Sequence, residues 1–309
     1  MRSRWARGGR IALLAGALVL VLTGCSVKDA ESKMRFGFPT GVTKQGERMR
    51  VLWTWTGVTA LAVGIVVWFL IFWAVIRYRK RDDEIPRQTK YNLPLEIVYS
   101  IVPFIFIVGL FWRTVVVEDY VNVETPNPDV VVQVDAFKWN WQFEYLKDHG
   151  QQTMYTADGK TPLSTVGSND EIPVLVIPVG ETVRFVEHSE DVIHAFWVPE
   201  FIFKRDVIPY GTSDTSRDNQ FEITATTTGS YVGRCAELCG TYHSQMNFEV
   251  RIVQPDVYEN YLKALDAAGQ NNPARQSQAL KAVGLAPYAT TTYPFNTDRT
   301  TRSASEPTS

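Results

Sequence analysis

Residues that carry redox or metal chemistry are scarce: the 309-residue chain has three cysteines and four histidines. Three is too few for a disulfide framework and is odd, so at least one thiol does something other than pair within the chain. No Cys-x-x-Cys-His run occurs, which excludes a covalently attached c-type haem. Charge bias is missing too, and a formal net charge of −2 gives no reason to expect a nucleic-acid partner. There is no internal repeat, and after residue 112 there is no long apolar run. A mean hydropathy of −0.11 would by itself describe an ordinary soluble chain of roughly one to three domains.

That average hides strong segregation. Arg2, Arg4, Arg7 and Arg10 form a basic start, followed by the apolar run IALLAGALVLVL and then LTGC. A core this short cannot span ~30 Å of hydrocarbon and reads as an export signal. LTGC, ending at Cys25, resembles the lipobox of bacterial lipoproteins, which implies lipidation at Cys25 and a mature N-terminus outside the cytoplasm. A plain signal peptide and an uncleaved first helix are the alternatives. Residues 51–76 are uncharged and rich in Val, Ile, Leu, Trp and Phe, longer than the ~20 residues needed to cross a bilayer. Trp53, Trp55 and Trp73 lie towards the ends of this run, where interfacial aromatics belong. The second run, 97–112, reaches spanning length when 91–95 are added, which puts Glu96 at the membrane's inner edge. Glu96 has two readings: an interfacial carboxylate paired with Lys90 or Arg87, or an ionisable group on a proton path. The loop between the runs carries Arg77, Arg79, Lys80, Arg81, Arg87 and Lys90, so it is cytoplasmic by the positive-inside rule. Everything after about residue 114 then lies outside, in agreement with an exported N-terminus.

From residue 128 the pattern changes to short runs of period two: VVVQVDAF, WNWQFEY, IPVLVIPV, ETVRFVEH, QFEITATTT, SYVGRC and MNFEVRIV. Turn residues separate them, and no helical periodicity intervenes, so the expected fold is a β-sandwich or barrel. The expected organisation is a signal at 1–24, an exported segment at 25–50, a two-helix transmembrane hairpin at 51–113 and an all-β domain at 114–255. Within that domain, 147–170 reads as a surface insertion. Val257, Tyr258, Tyr261, Leu262 and Leu265 then have helical spacing, predicting a terminal helix over 256–268. The polar tail 269–309 reads as disordered.

The stretch GRCAELCGTYHSQM holds Cys235, Cys239, His243 and Met246 at spacings that could share a helical face. Gly233 and Gly240 interrupt that reading, and the flanking alternation favours a loop between strands. An oxidising compartment makes a Cys235–Cys239 disulfide a serious reading. Thiolates with imidazole and thioether, however, are the ligand set of copper electron-transfer sites, and zinc would not seek a thioether. His194, in SEDVIHAFWVPEF, is available as an upstream ligand from a separate strand-like segment. His188 and His149 are assigned no role.

EDVIHAFWVPEF and YVGRCAELCGTYHSQM together resemble the copper-binding signature of subunit II of cytochrome c oxidase, across roughly residues 50–255. The resemblance implies a cupredoxin-like Greek-key sandwich carrying a dinuclear copper centre, CuA. It implies Cys235 and Cys239 as bridging thiolates, His194 and His243 as one ligand to each copper, and Met246 and the Glu237 carbonyl as weak axial ligands. The Glu237 side chain would reach a Mg²⁺ shared with subunit I. AFKWNWQFEY is similar to the family's aromatic segment, with Trp139 matching the residue through which electrons enter. Phe137, Lys138 and Asn140 depart from the usual residues there. Phe196 and Trp197 would line the way towards subunit I. PLEIVYSIVP resembles the start of the family's second helix, with Glu96 at the mouth of a proton channel. The implied role is electron input to an aa3-type oxidase from a separate c-type cytochrome, with subunits I and III as partners. A lipidated form with an insertion resembles Gram-positive versions, whose donors are often membrane-bound.

Two rivals remain. A tethered copper chaperone would need a thioredoxin-like fold and leaves Met246, Glu237 and His243 without a purpose. A quinol-oxidase subunit II would lack the copper ligands.

Overall fold

The computed structural model describes residues 35, 37–81, 83–85, 88–148, 151–152, 162–168, 171–209, 219–269 and 272–292. The export signal, Cys25 and His149 lie outside the described residues.

Two long helices come first, α1 (Lys44–Arg77) and α2 (Leu93–Val121). Both are long and apolar enough to cross a membrane, and neither apolar stretch is buried by the rest of the chain. Each is longer than its apolar run, because polar turns continue the helix beyond the hydrophobic stretch. At the start of α2, Asn92 N–H donates to Glu96 Oε1 at 3.0 Å and Leu95 N–H donates to Asn92 Oδ1 at 3.4 Å. This reciprocal arrangement satisfies amides that a helix start leaves without partners. The Glu96 carboxylate therefore accepts from Asn92, and among the described residues it forms no ion pair with Lys90; Arg87 lies outside them.

The β domain consists of two sheets. One has the order β3-β2-β1-β6-β9, with β4 also on β2; the other is β5-β11-β10-β7-β8. The strands are β1 (Val130–Phe137), β2 (Asn140–Asp148), β3 (Gln151–Gln152), β4 (Leu163–Val166), β5 (Val174–Pro178), β6 (Thr182–Ser189), β7 (His194–Val198), β8 (Phe203–Val207), β9 (Gln220–Thr224), β10 (Gly229–Cys235) and β11 (Asn247–Val253). β1 pairs with β6 and β5 with β11 in parallel; the other pairings are antiparallel. Between β1 and β11 the described residues hold only two single-turn 3₁₀ segments, Pro199–Phe201 and His243–Gln245, so a thioredoxin-like arrangement is not formed.

Side-chain parity builds the core. Trp141, Phe143 and Tyr145 on β2, Val183 and Phe185 on β6, and Phe248, Val250 and Ile252 on β11 are all buried in one cluster. Phe196 belongs to it as well: its ring stacks on Phe248 at 4.7 Å and meets Trp141 edge-on at 6.1 Å. Such pairs add about 0.5–1.5 kcal/mol each beyond their burial. Phe196 is thus a core residue, while Trp197, of opposite parity, is exposed.

Three expectations need correction. β8 went unrecognised, because FKRDV alternates too weakly to be seen. Part of the 147–170 segment belongs to the sheet: β4 pairs with β2, and Leu163 and Thr165 are buried. Within the tail, residues 272–292 are described and folded. After helix α3 (Pro255–Ala267), which buries Tyr258, Tyr261, Leu262 and Leu265 as predicted, the chain forms a second helix, α4 (Arg275–Ala282). Side-chain-to-backbone bonds hold it there. Arg275 donates to the Leu265 and Ser164 carbonyls, and Gln276 accepts from Val174 N–H while donating to Ile172 O. Further on, buried Glu249 accepts from the backbone of Thr290 and Thr291. Polar residues that satisfy backbone groups leave no hydropathic trace, which is why composition alone suggested disorder.

Candidate metal centre

The end of β10, the loop after it and the start of β7 bring all six sequence-predicted ligands together. Cys235 closes β10, where its N–H donates to the Met246 carbonyl at 3.0 Å, and Ala236 N–H donates to Ala195 O at 3.1 Å. These bonds close the loop on itself and fasten it to β7. Gly240, at φ +124°, makes the turn between Cys239 and His243, a backbone conformation that side chains disfavour. A Cβ on it would also press against the Trp139 ring at 3.2 Å.

Cys235 and Cys239 are buried and free, with Sγ atoms 3.8 Å apart, far beyond the ~2.05 Å of a disulfide. His194 Nδ1 lies 3.8 Å from Cys235 Sγ, and His243 Nδ1 lies 3.5 Å from Cys239 Sγ. Met246 Sδ is 3.8 Å from Cys239 Sγ, and the Glu237 carbonyl oxygen is 3.2 Å from Cys235 Sγ. The ligand atoms of His194, Cys235 and Cys239 all lie within 4.8 Å of one another. The set divides into two halves that share the sulfur pair: His194 with the Glu237 carbonyl on the Cys235 side, His243 with Met246 on the Cys239 side.

Sequence reading missed Asp191. Its Oδ1 lies 2.8 Å from His194 Nε2. Partial burial works against its ionisation, yet hydrogen bonds from His194 and from the N–H groups of Lys138 and Val192 outweigh that and hold the carboxyl below its ordinary range. An ionised carboxylate can only accept, so the imidazole proton resides on Nε2 and the Nδ1 lone pair faces the sulfurs. That is the tautomer a metal ligand needs. The only sequence signal was a carboxylate three residues before a candidate ligand.

Burial, with Cys235 beside it, pushes the Cys239 thiol up to about 12. A bound cation reverses this, since coordinating thiols give up their protons. Two thiols, two imidazole nitrogens turned to them and a buried thioether fit copper better than zinc or a hard cation.

Two tryptophans frame the loop. Trp141 Nε1–H donates to the Met246 carbonyl at 3.3 Å, and its ring meets the His194 ring edge-on. Half-buried Trp139 donates Nε1–H to the Cys239 carbonyl at 3.2 Å and lies edge-on to Tyr242 at 4.9 Å. Tyr242 is exposed, as is Leu238, the residue before Cys239. Of the other predicted residues, Glu96 lies in the first turn of α2, and His188 takes no part in the sulfur cluster, facing Glu190 at 3.7 Å.

Comparison with known proteins identifies the family. The family model described as cytochrome c oxidase subunit II, periplasmic domain, matches residues 130–253. A probable cytochrome c oxidase subunit 2 of Nocardia farcinica is 43% identical over 99% of this chain and 92% of its own. Cytochrome c oxidase subunit 2 of Mycobacterium tuberculosis is 40% identical over 95% of this chain and 91% of its own. The crystal structure of the periplasmic domain of cytochrome oxidase subunit II from Bradyrhizobium japonicum is 27% identical, covering 45% of this chain and 95% of that one, with a TM-score of 0.35. The chain belongs to the cytochrome c oxidase subunit II family, membrane-anchored subunits of haem–copper oxidases.

Proposed function

We propose that this chain is the electron-accepting subunit of an aa3-type oxidase. It takes electrons one at a time from a c-type cytochrome and delivers them to haem in subunit I for oxygen reduction coupled to proton translocation. The observation that carries this reading is the division of the ligands around one sulfur pair, with each imidazole nitrogen turned to its own sulfur. Cys235 and Cys239 would bridge two copper ions, and His194 and His243 would each complete one. Met246 and the Glu237 carbonyl would be weak axial ligands. Copper held by Cys235, Cys239, His194 and His243 would supply a one-electron relay.

The protein's part is to hold that ligand set still. The β7–β10 framework, Asp191 behind His194 and Trp141 behind Met246 fix donor positions before and after each electron, which keeps reorganisation small. Trp139, bonded to the Cys239 backbone and edge-on to Tyr242, would receive electrons from the docked cytochrome. The Glu237 carboxylate would reach Mg²⁺ at the junction with subunit I, and Glu96, in the first turn of α2, would stand at a proton-channel mouth. With the basic 77–90 loop cytoplasmic, both the sandwich and a lipidated Cys25 would lie on the outer face of a bacterial cell membrane. Subunits I and III would complete the complex.

Replacing Trp139 by leucine tests the path. Oxidation of the reduced donor is expected to slow by about tenfold or more, while the copper optical spectrum stays the same. An unchanged rate would remove Trp139 from the path.

A further inference from the structure

β9 is the edge strand of its sheet, and Phe221 and Ile223 on it point into the core. Parity therefore turns Glu222 and Thr224 outward, yet they are only 3% and 6% exposed. Their cover comes from the chain flanking the two long helices. Thr125, four residues beyond α2, donates its N–H to Glu222 Oε1 and Oε2 at 3.0 and 3.1 Å and its hydroxyl to Oε1 at 3.2 Å. Arg184, the cross-strand partner of Glu222, donates Nε to the same carboxylate at 2.9 Å and Nη2 to the Thr125 carbonyl. In the first turn of α1, Gln45 Oε1 accepts Thr224 N–H at 3.0 Å, and just before the helix Val42 O accepts Thr226 N–H at 2.8 Å. The second sheet is gripped as well: Val42 N–H donates to Glu200 O at 3.0 Å, and a Cβ on Gly46 would stand 2.6 Å from the Phe201 carbonyl oxygen.

Two strands connect this grip to the metal centre. β6 carries Arg184 near its start and leads through Ser189 to Asp191; at ~3.3 Å per residue, Arg184 to Ser189 covers about 17 Å. β7 begins at His194 and leads through Val198 into Pro199–Phe201, against Gly46. One strand of each sheet therefore runs from the helix ends to His194 or the carboxylate that orients it. A close-packed sandwich transmits a tilt at one end to the other rather than absorbing it.

We propose that Glu222 and Gly46 are positioning residues: by locking the outer ends of α1 and α2 onto β9, β6 and the segment after β7, they set where the metal centre stands relative to the haem in subunit I. This inference rests on the electron-transfer reading above. A carboxylate serves the purpose because it binds Arg184 and both Thr125 donors at once. Glycine serves because only a missing side chain lets the first turn of α1 lie on Phe201.

The test uses the whole oxidase, with haem reduction followed after a light pulse reduces the copper centre. Glu222→Ala and Gly46→Val are expected to slow haem reduction about tenfold. Glu222→Gln, which keeps an acceptor oxygen for Thr125, is expected to slow it less. The copper spectrum and the KM for the donor cytochrome should stay at wild-type values in all three. Wild-type haem reduction rates in assembled Glu222→Ala and Gly46→Val overturn the proposal, and so does a slowing accompanied by an altered copper spectrum. Should Glu222→Ala not assemble, Glu222→Gln and Gly46→Ala decide by the same readings. Absence of haem reduction in the wild-type enzyme would instead overturn the electron-transfer reading itself.

Discussion

Cys239→Ser is expected to lower copper from two ions per chain to at most one and to bring oxygen uptake with reduced cytochrome c down to background. Cys239 is the junction of the centre: its Sγ lies 3.8 Å from Cys235 Sγ, 3.5 Å from His243 Nδ1 and 3.8 Å from Met246 Sδ. Serine is nearly the same size, but its hydroxyl does not ionise near neutrality and is a hard donor, so it cannot bridge two soft metals. His243 and Met246 then have no shared partner. The change puts a hydroxyl where a thiol was buried, at a cost of about 1–3 kcal/mol if it finds no hydrogen bond. A folded variant without activity is the expected outcome, read by elemental analysis, thermal unfolding and oxygen uptake. Cys235→Ser should do the same from the other side, unlinking His194 and the Glu237 carbonyl. Full copper content in either variant would contradict the bridging roles.

Asp191→Asn is expected to weaken copper retention by about 10- to 100-fold, the usual cost of losing a partner that orients a metal-bound histidine. Asparagine can still accept from His194 Nε2–H through its oxygen, but it brings no negative charge. Its amide can also turn to present a donor, which would favour the wrong imidazole tautomer. The carboxylate also gathers Lys138 N–H and Val192 N–H, tying the start of the Trp139 turn to the strand that carries His194. A competing chelator titrated against the loaded protein measures the effect. Retention equal to wild type would show that sandwich packing alone orients His194.

The candidate ligands were legible because their chemistry is uncommon. Two thiols, two imidazoles and a thioether in one domain serve few purposes, and their loop interrupts two strands of clear period two. Most strands were legible for the same reason: where one face is core, alternation is forced, as along Trp141, Phe143 and Tyr145. What escaped detection was polar and worked through the backbone. Asp191 reads as a loop carboxylate until His194 is seen beside it. Gln276 and Arg275 order a tail whose composition suggests none, because their partners are main-chain groups more than a hundred residues away, or ten away for the Leu265 carbonyl. Glu222 lies in a run whose alternation identifies a strand but cannot say that both faces are covered. For Glu222, Gln276 and the Arg275 bond to Ser164 the partner is remote in sequence; for Asp191 it is three residues away, and only the fold shows that the two side chains turn to each other.

Metal analysis joined to electron paramagnetic resonance of the full-length, copper-loaded protein tests the central claim most directly. The expected result is two coppers per chain and a mixed-valence signal in which one unpaired electron couples equally to both nuclei. One copper per chain with a localised electron, or a disulfide between Cys235 and Cys239 in the isolated protein that copper and reductant do not displace, would contradict it.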